Sequence, residues 1–292
     1  MSIKIDWLNI YNYYIIVKGN SGFGGIELFT KEIKDKVTLP ENVFKKYNMK
    51  KIAYFDIETT GFDKDKDTII LISLGWFIED GYFQIKQYFA ENLVDEAEIL
   101  YAFGSELIKF DSWCSYNGMA FDEPFIKARM ARNSIMFRAP EEHIDLYRLI
   151  RPYHKLLGME RCNLKTVEKH IGVERTDKID GGMSVELYNQ YIDNKDEDIK
   201  NIIMLHNYED VLNLPKIFKI LYEVDCNNQL KREDCITEKQ LKYLKSLVSK
   251  SSMPLEMSFE KISKKTASKL IDYFINGSKD IKEVKNILNS SY

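Results

Sequence analysis

The sequence predicts an α/β protein in which a mixed sheet is flanked by helices and is followed by a small helical module. Three strongly apolar segments with strand character lie close together, at residues 51–57, 68–79 and 82–89. The last two are separated by Asp80-Gly81, a dipeptide typical of tight hairpin turns. Later in the chain the apolar residues recur mainly at helical spacing. Antiparallel strands followed by alternating strands and helices are typical of a mixed sheet covered by helices.

The remaining elements are predicted from local patterns, in chain order. Segments 3–16 and 24–30 are rich in Ile, Tyr, Phe and Gly and indicate short strands that lead into the core. A helix is predicted at about 95–110, with Asp95 as its N-cap. The short strand WCSYN follows, and the helices after it are predicted at about 123–133, 144–150, 163–171, 184–193 and 197–221.

Composition divides the chain into three parts. Residues 1–222 are predicted to form the main domain, of which 1–49 are a strand-rich extension. Residues 223–236 are polar and aperiodic, which favours a linker. In the module 237–292, the sequence from Thr237 to Gln240 has the form of a capping box and opens one helix. A second helix, KKTASKLIDYFI, ends near Gly277, a residue that commonly follows a helix C-terminus.

The charged residues are distributed unevenly along the chain. The whole chain carries a formal charge of −3, yet from Gln229 to Tyr292 there are 13 Lys and Arg against 8 Asp and Glu, so that the preceding part carries −8. An acidic body with a basic tail suits a metal-binding catalytic domain with an appendage that binds polyanions. A tail with a solvated lysine face is equally compatible with these numbers.

Several classes of protein are not expected. No segment approaches the roughly 18 consecutive apolar residues of a membrane span. The N-terminus lacks the apolar run of a signal peptide, so we expect a cytoplasmic protein without a membrane partner. The four cysteines form no CxxC pair, which favours reduced thiols over a structural zinc site.

The stretch KIAYFDIETTGF, residues 51–62, places two carboxylates in a strand that otherwise has the composition of a buried one. Asp56 and Glu58 are two residues apart and therefore project from the same face. Two neighbouring carboxylates repel each other and are unfavourable to desolvate, unless a cation such as Mg²⁺ or Mn²⁺ neutralises them. An isolated D-x-E is more often a strand end whose acids reach solvent. The Thr59-Thr60-Gly61 stretch ends the strand at the edge where α/β sites form, which favours a site.

Two more acids occupy unusual positions. Asp122 lies between Phe121 and Phe125 at the start of a predicted helix, where a simple N-cap is an alternative explanation. Asp210 lies beside the apolar stripe of the helix 197–221. His206 precedes Asp210 by four residues and therefore lies on the same helix face, although a surface histidine is also compatible with this pattern.

Together these stretches resemble the three motifs of the DEDD 3′–5′ exonuclease superfamily, which has a ribonuclease H-like fold. The matching stretches are, in the order of the family, YFDIETTG, SYNGMAFDEPFI and HNYEDVLNL. The segment between the last two, IDLYRLIRPYHKLLGMERCNLKTVEKHIGVERTDKIDGG, is similar to a bacterial branch of predicted exonucleases. The resemblance covers about residues 50–222.

The resemblance implies a metal-dependent hydrolase that removes nucleotides from the 3′ ends of single-stranded DNA or RNA, in repair, recombination or turnover. The four acids that would hold two divalent ions, Mg²⁺ or Mn²⁺, are Asp56, Glu58, Asp122 and Asp210. One ion would help to generate hydroxide and the other would stabilise the departing oxygen. Groups around Thr59 and Thr60, and Asn117, would contact the terminal nucleotide. His206 would orient or deprotonate the attacking water.

One feature departs from the family pattern. The histidine subclass places its His five residues before the last Asp, whereas the tyrosine subclass places its Tyr four residues before it. Here His206 has the spacing of the tyrosine, which leaves the identity of the general base open. Two alternative functions also remain: a structure-specific endonuclease on the same fold, and a catalytically weak module that binds nucleic acid.

Weaker candidates lie outside these motifs. Asp145 could approach the metals, although an N-cap or an ion pair is the more usual role of such a residue. Arg161 and Lys165 could contact phosphate, although exposed basic residues are usually only surface. The C-terminal module could bind nucleic acid or another protein, or pack as a plain helical hairpin. Its candidate phosphate contacts are Lys239, Lys242, Lys245, Lys264, Lys265 and Lys269.

Overall fold

The computed structural model describes residues 14–16, 19–20, 27–79, 81–251, 259–277 and 280–289. The strands are β1 (Tyr14–Ile16), β2 (Gly19–Asn20), β3 (Glu27–Lys36), β4 (Ile52–Thr59), β5 (Ile69–Glu79), β6 (Tyr82–Phe89), β7 (Ser112–Ser115) and β8 (Glu142–Asp145). The helices are α1 (Glu41–Lys46), α2 (Glu96–Leu107), α3 (Asp122–Arg132), α4 (Leu146–Ile150), α5 (Leu164–His170), α6 (Gly181–Asn194), α7 (Glu197–Cys226), α8 (Glu238–Ser251), α9 (Lys264–Ile275) and α10 (Ile281–Asn289).

The chain divides into two compact units. The first unit contains Met1–Leu146 and Asn163–Lys219, and the second contains Tyr147–Cys162 and Ile220–Tyr292. The helices among the described residues lack the combination of length and apolar character that crossing a membrane requires.

The first unit is built on a mixed sheet with the strand order β1-β3-β6-β5-β4-β7-β8, and β2 pairs with β3. The strands β3, β6, β5 and β4 pair in antiparallel fashion. Beyond β4 the pairing becomes parallel, first with β7 and then from β7 to β8. This arrangement confirms the predicted mixed α/β sheet.

Aromatic side chains fill both sides of the central strand β4, because successive residues point to opposite faces of a sheet. Phe55 packs edge-on against Phe103 and Trp113, with ring centroids 5.8 and 5.5 Å apart. Tyr54 meets Phe83 on the other side at 5.4 Å. A strand that is buried on both faces needs a nearly continuous apolar run, which explains the composition of this stretch.

The three strong strand predictions, at 51–57, 68–79 and 82–89, are confirmed by β4, β5 and β6. Of the hairpin dipeptide, Asp80 lies outside the described residues, whereas Gly81 is described and has φ 79°. Most of the predicted strand 3–16 likewise lies outside the described residues.

The starts of two predicted helices differ in detail from the sequence-based expectations. Asp95 occupies the N-cap position of α2 as predicted, but its side chain makes no capping bond to that helix. Its carboxylate instead accepts the Asn92 backbone N–H at 2.8 Å and closes a capping box around a short 3₁₀ turn, Leu93–Asp95. The prediction of a helix from residue 144 was wrong at its start, since Glu142–Asp145 form β8. β8 exists because it pairs in parallel with β7, an interaction between distant segments that its own four residues do not reveal.

The second unit contains the predicted helical module. Gln240 donates its backbone N–H to the Thr237 hydroxyl at 3.2 Å, and Thr237 donates its own to the Gln240 side chain at 3.1 Å, which confirms the capping box. Leu244, Leu270 and Val284 are buried in the small apolar core of this unit. The second predicted helix is confirmed as α9, while α10 was not predicted and α7 continues beyond residue 221 to Cys226.

Candidate active site

The four acids of the sequence motifs come together in the first unit, beside a cleft of about 370 Å³. Asp56 and Glu58 project from β4, Asp122 is the first residue of α3, and Asp210 lies on α7. β4 ends at Thr59, where its register with β5 shifts. Asp56, Glu58 and Asp210 line the cleft together with His206.

Asp56 is held by a row of polar side chains that crosses the sheet. The strand register places Asp56 opposite Ser73, and Ser73 opposite Gln87. Gln87 donates to the Ser73 hydroxyl at 2.9 Å, Ser73 donates to the Asn207 side-chain oxygen, and Asn207 donates to Asp56 Oδ2 at 2.7 Å. Sequence reasoning missed Asn207. The polar Ser73 and Gln87 inside two apolar strands were the available signal.

Glu58, His206 and Asp210 form a compact group. The His206 Nε2 atom lies 3.7 Å from Glu58 Oε1 and 3.7 Å from Asp210 Oδ2. One donor atom from each of the three residues can be chosen so that all lie within 4.8 Å of one another. On the other side of the ring, the His206 Nδ1 atom lies 2.8 Å from Asp177 Oδ2. The group therefore offers two carboxylates and one imidazole to a common space.

Asp122 is buried and bonds to β4, the strand that carries Asp56 and Glu58. Its Oδ1 atom accepts the Ile57 backbone N–H at 3.2 Å. The alternative that Asp122 is the N-cap is wrong, because Phe121 occupies that position and Asp122 is already helical. The bond to Ile57 fixes this carboxylate beside β4.

The loop before Asp122 is organised by Asp145. The Asp145 carboxylate accepts the backbone N–H groups of Asn117 at 2.9 Å and Met119 at 3.2 Å. Asn117 has a φ of 65°, a left-handed conformation that asparagine tolerates better than most residues. At Gly118 an added Cβ would lie 2.2 Å from Ser115 Oγ, so only glycine fits there. Asp145 thus shapes the loop that leads to Asp122.

Of the three residues predicted to contact the terminal nucleotide, only Thr59 lines the cleft among the described residues. The Thr59 hydroxyl donates to the Gly61 carbonyl at 2.5 Å, and Thr59 lines the cleft. The Thr60 hydroxyl accepts the Thr68 N–H at 2.9 Å and is engaged within its own loop. Among the described residues, the lining of the cleft includes neither Thr60 nor Asn117.

Burial and repulsion by neighbouring acids raise the pKa values of Asp56, Glu58 and Asp122. Burial raises the pKa of Asp56 well above its usual range, and the charges of Asp122, Asp210 and Glu58 raise it further. Burial also raises the pKa of Glu58 to about 8, although His206 opposes the rise. For Asp122 burial raises the pKa to about 7, against the effect of its backbone hydrogen bonds. Bound divalent cations would favour the ionised forms of these groups.

Arg175 is a site residue that sequence reasoning missed. Its guanidinium is buried and lies 2.5 Å from Asp210 Oδ1, 3.1 Å from Glu168 and 3.4 Å from Glu209. It also lies 3.3 Å from Asp177 and donates to the His206 carbonyl at 3.1 Å. Arg175 therefore links the helix that carries His206 and Asp210 to the segment that carries Asp177.

Of the two basic residues suggested as phosphate contacts, Lys165 lies in the first unit and lines the cleft. Its ammonium group lies 3.0 Å from Asp177 Oδ2 and also donates to the Ile179 carbonyl. Lys165 thus supports the carboxylate that contacts His206. Arg161 belongs to the second unit and is exposed.

The raised pKa values predict how stability depends on pH. Between the ordinary Glu58 value of 4.5 and its folded value of about 8, the folded protein binds more protons than the unfolded chain. The free energy of unfolding should therefore fall as pH rises through this range, by a few kcal/mol in order of magnitude. His206, whose pKa is raised mainly by its bond to Asp177 against the effect of burial, acts in the same direction.

Urea unfolding in EDTA, at pH values of about 5.5 and about 8, checks this expectation. Added Mn²⁺ should increase the free energy of unfolding more at the higher pH, because the ionised acids bind the cation. A free energy of unfolding that is constant or rises between the two pH values in EDTA would contradict the prediction.

Comparison with known proteins agrees with the motif resemblance. A family model described as the RNase_H superfamily matches residues 53–222. A curated relative from Bacillus subtilis (strain 168), described as uncharacterized protein YprB, is 32% identical over 178 residues, which make up 60% of this chain and 42% of the relative. The chain thus spans about two fifths of the length of that relative.

Three solved structures are similar at low identity. The family B DNA polymerase from the archaeon Pyrobaculum calidifontis shares 18% identity, with a TM-score of 0.46 over 70% of this chain and 26% of the polymerase. Brucella melitensis NrnC bound to pGG shares 10%, with a TM-score of 0.38 over 79% of this chain and 89% of that one. Exonuclease I shares 13%, with a TM-score of 0.38 over 59% and 43% of the two chains.

Proposed function

The chain belongs to the RNase H superfamily, and from this membership and the acid cluster we propose that it is a metal-dependent 3′–5′ exonuclease acting on single-stranded DNA or RNA ends. Membership of this nuclease superfamily supports hydrolysis of phosphodiester bonds. The 3′–5′ direction of hydrolysis and the single-stranded substrate are inferred from the resemblance of the three motifs to those of the DEDD exonucleases.

The observation that carries the proposal is the cluster of four carboxylates from three separate elements. Asp56, Glu58, Asp122 and Asp210 lie close together at the edge of a cleft, and their mutual charges contribute to the raised pKa values of Asp56, Glu58 and Asp122. Their oxygen donors fit Mg²⁺ or Mn²⁺. Two such ions, when bound, supply positive charge to both the attacking and the departing oxygen. We propose these four acids as the ligands.

The other residues position the substrate and the water. Backbone groups at Thr59 and Thr60 and the exposed Asn117 would contact the terminal nucleotide. His206 orients the attacking water beside Glu58 and Asp210. Phe62 is 83% exposed and lines the cleft, as does Phe121, with their ring centroids 6.0 Å apart. Such rings suit a substrate whose unpaired bases can stack.

A time course with Mn²⁺ on single-stranded DNA and RNA, labelled at either the 5′ or the 3′ end, tests the proposal. We expect a ladder that shortens from the 3′ end, absent in EDTA and in the Asp210→Asn variant. A few discrete internal cuts would favour a structure-specific endonuclease instead. A gel shift without cleavage would favour a binding module, and either result would contradict the proposed activity.

A further inference from the structure

The His206 ring faces the acids proposed as metal ligands. It precedes Asp210 by four residues, one fewer than in the histidine subclass of the family. Nε2 faces one carboxylate from β4 and one from α7, at 3.7 Å from each, which is beyond hydrogen-bond length. The side chain is only 5% exposed, so the ring has little access to bulk water.

We infer that His206 binds a metal ion directly through Nε2, and forms with Glu58 and Asp210 a three-residue site selective for transition-metal ions such as Mn²⁺. This inference rests on the proposed function, because it assigns a further ligand to the same metal centre. In this arrangement His206 acts on the attacking water through the ion, and not by direct contact with the water.

The separations fit a common ion. Donor atoms bound to one ion at about 2.1 Å are about 3.0 to 3.4 Å apart at octahedral to tetrahedral angles. The two Nε2–oxygen distances of 3.7 Å exceed these values by about 0.3 to 0.7 Å, and all three donor atoms lie within 4.8 Å of one another. An inward movement of the three side chains would therefore bring one donor from each of them to a common ion.

The opposite side of the ring has the partner that a metal-bound histidine requires. Such histidines usually donate their second N–H to a carboxylate, which fixes the tautomer and the ring orientation. Here Asp177 Oδ2 lies 2.8 Å from Nδ1, and the Asp177 carboxylate also accepts the Ile179 N–H at 2.9 Å and a Lys165 bond at 3.0 Å. With the proton on Nδ1, the lone pair of Nε2 points toward Glu58 and Asp210.

The helix provides the correct spacing. His206 and Asp210 are four residues apart on α7 and therefore lie on one face about one turn apart. Pairs at this spacing hold a single ion in helical metal motifs. An imidazole ligand favours transition-metal ions over Mg²⁺, which prefers oxygen. The site should therefore bind Mn²⁺ more tightly than Mg²⁺.

Pulsed electron paramagnetic resonance of the full chain with bound Mn²⁺ tests the assignment directly. The wild type should show the hyperfine coupling of a coordinated imidazole nitrogen. His206→Gln should lose this coupling, and should bind Mn²⁺ at least about tenfold more weakly. The Asp177→Asn variant should retain the coupling with Mn²⁺ affinity reduced about tenfold. His170→Gln, at an exposed position on α5, is the matched control and should change neither property.

The outcomes separate this inference from the proposed function. Bound Mn²⁺ without nitrogen coupling in the wild type would overturn the ligand assignment and leave the exonuclease proposal intact. A wild-type protein that binds no Mn²⁺, or an Asp210→Asn variant that binds it as tightly as the wild type, would contradict the proposed metal centre itself. The wild-type spectrum alone suffices for the first decision, so the result does not depend on how well the His206 variant folds.

Discussion

Replacing Asp56 with Asn is expected to slow Mn²⁺-dependent hydrolysis of single-stranded nucleic acid by about 10³-fold or more while the protein remains folded. The amide removes one anionic donor from the proposed metal centre. A loss of roughly 4 kcal/mol of transition-state stabilisation corresponds to about a 10³-fold lower rate. The fold should persist because the remaining oxygen can still accept the Asn207 bond, which measures 2.7 Å in the native protein.

Nucleotide release from labelled single-stranded DNA and RNA, at saturating Mn²⁺, measures the effect. In EDTA the thermal midpoint of Asp56→Asn should equal or exceed that of the wild type, because burial and three neighbouring acids disfavour the native charge. Asp65→Asn is a suitable control, since Asp65 is exposed and pairs only with Lys64 among the described ion pairs. Full activity in Asp56→Asn would show that this carboxylate does not hold a catalytic ion.

The candidate site residues that stand within continuous local sequence patterns could be predicted from the sequence. Asp56 and Glu58 interrupt an apolar strand, and only a compensating partner makes such a placement favourable. The same reasoning applies to Asp122 and Asp210, whose motifs follow in the family order. The strand β4 and the mixed sheet then follow from period and length, which explains why these predictions are confirmed.

The site residues whose positions depend on contacts between segments far apart in the sequence could not be predicted from it. Arg175 and Asp177 stand in the polar stretch GVERTDKID, which has the composition of an exposed loop. In the folded protein Arg175 pairs with Glu168 on α5 and Glu209 on α7, and Glu209 also accepts the Asp177 backbone N–H at 2.9 Å. The sequence of a loop has no periodicity from which such ion pairs could be predicted, because they form only when the helices pack together. The role of Asp145 in shaping the loop before Asp122 was hidden for the same reason.

Replacing Arg175 with Met is expected to lower the free energy of unfolding by about 3 to 5 kcal/mol, the usual effect of removing one partner from a buried charge network. The guanidinium compensates four carboxylates, and only 7% of the side chain is exposed. Met fills a similar volume, so that lost charge rather than a cavity accounts for the effect. The four acids are Glu168, Asp177, Glu209 and Asp210.

The decrease in the free energy of unfolding of Arg175→Met should depend on pH. That dependence distinguishes an effect of the lost charge from an effect of altered packing. Without Arg175 the pKa of Glu168, which burial already raises and Arg175 lowers, should rise further. The folded variant then binds more protons than the unfolded chain, so its deficit should be larger near pH 8 than near about pH 5.5. Urea unfolding at both pH values measures this, with the exposed Arg161→Met as a control expected within about 0.5 kcal/mol of the wild type.

Arg175→Lys should recover only part of the lost free energy of unfolding, because an ammonium group lacks the planar fork that reaches several carboxylates at once. An equal deficit at both pH values would instead mean that Arg175 stabilises the fold by packing.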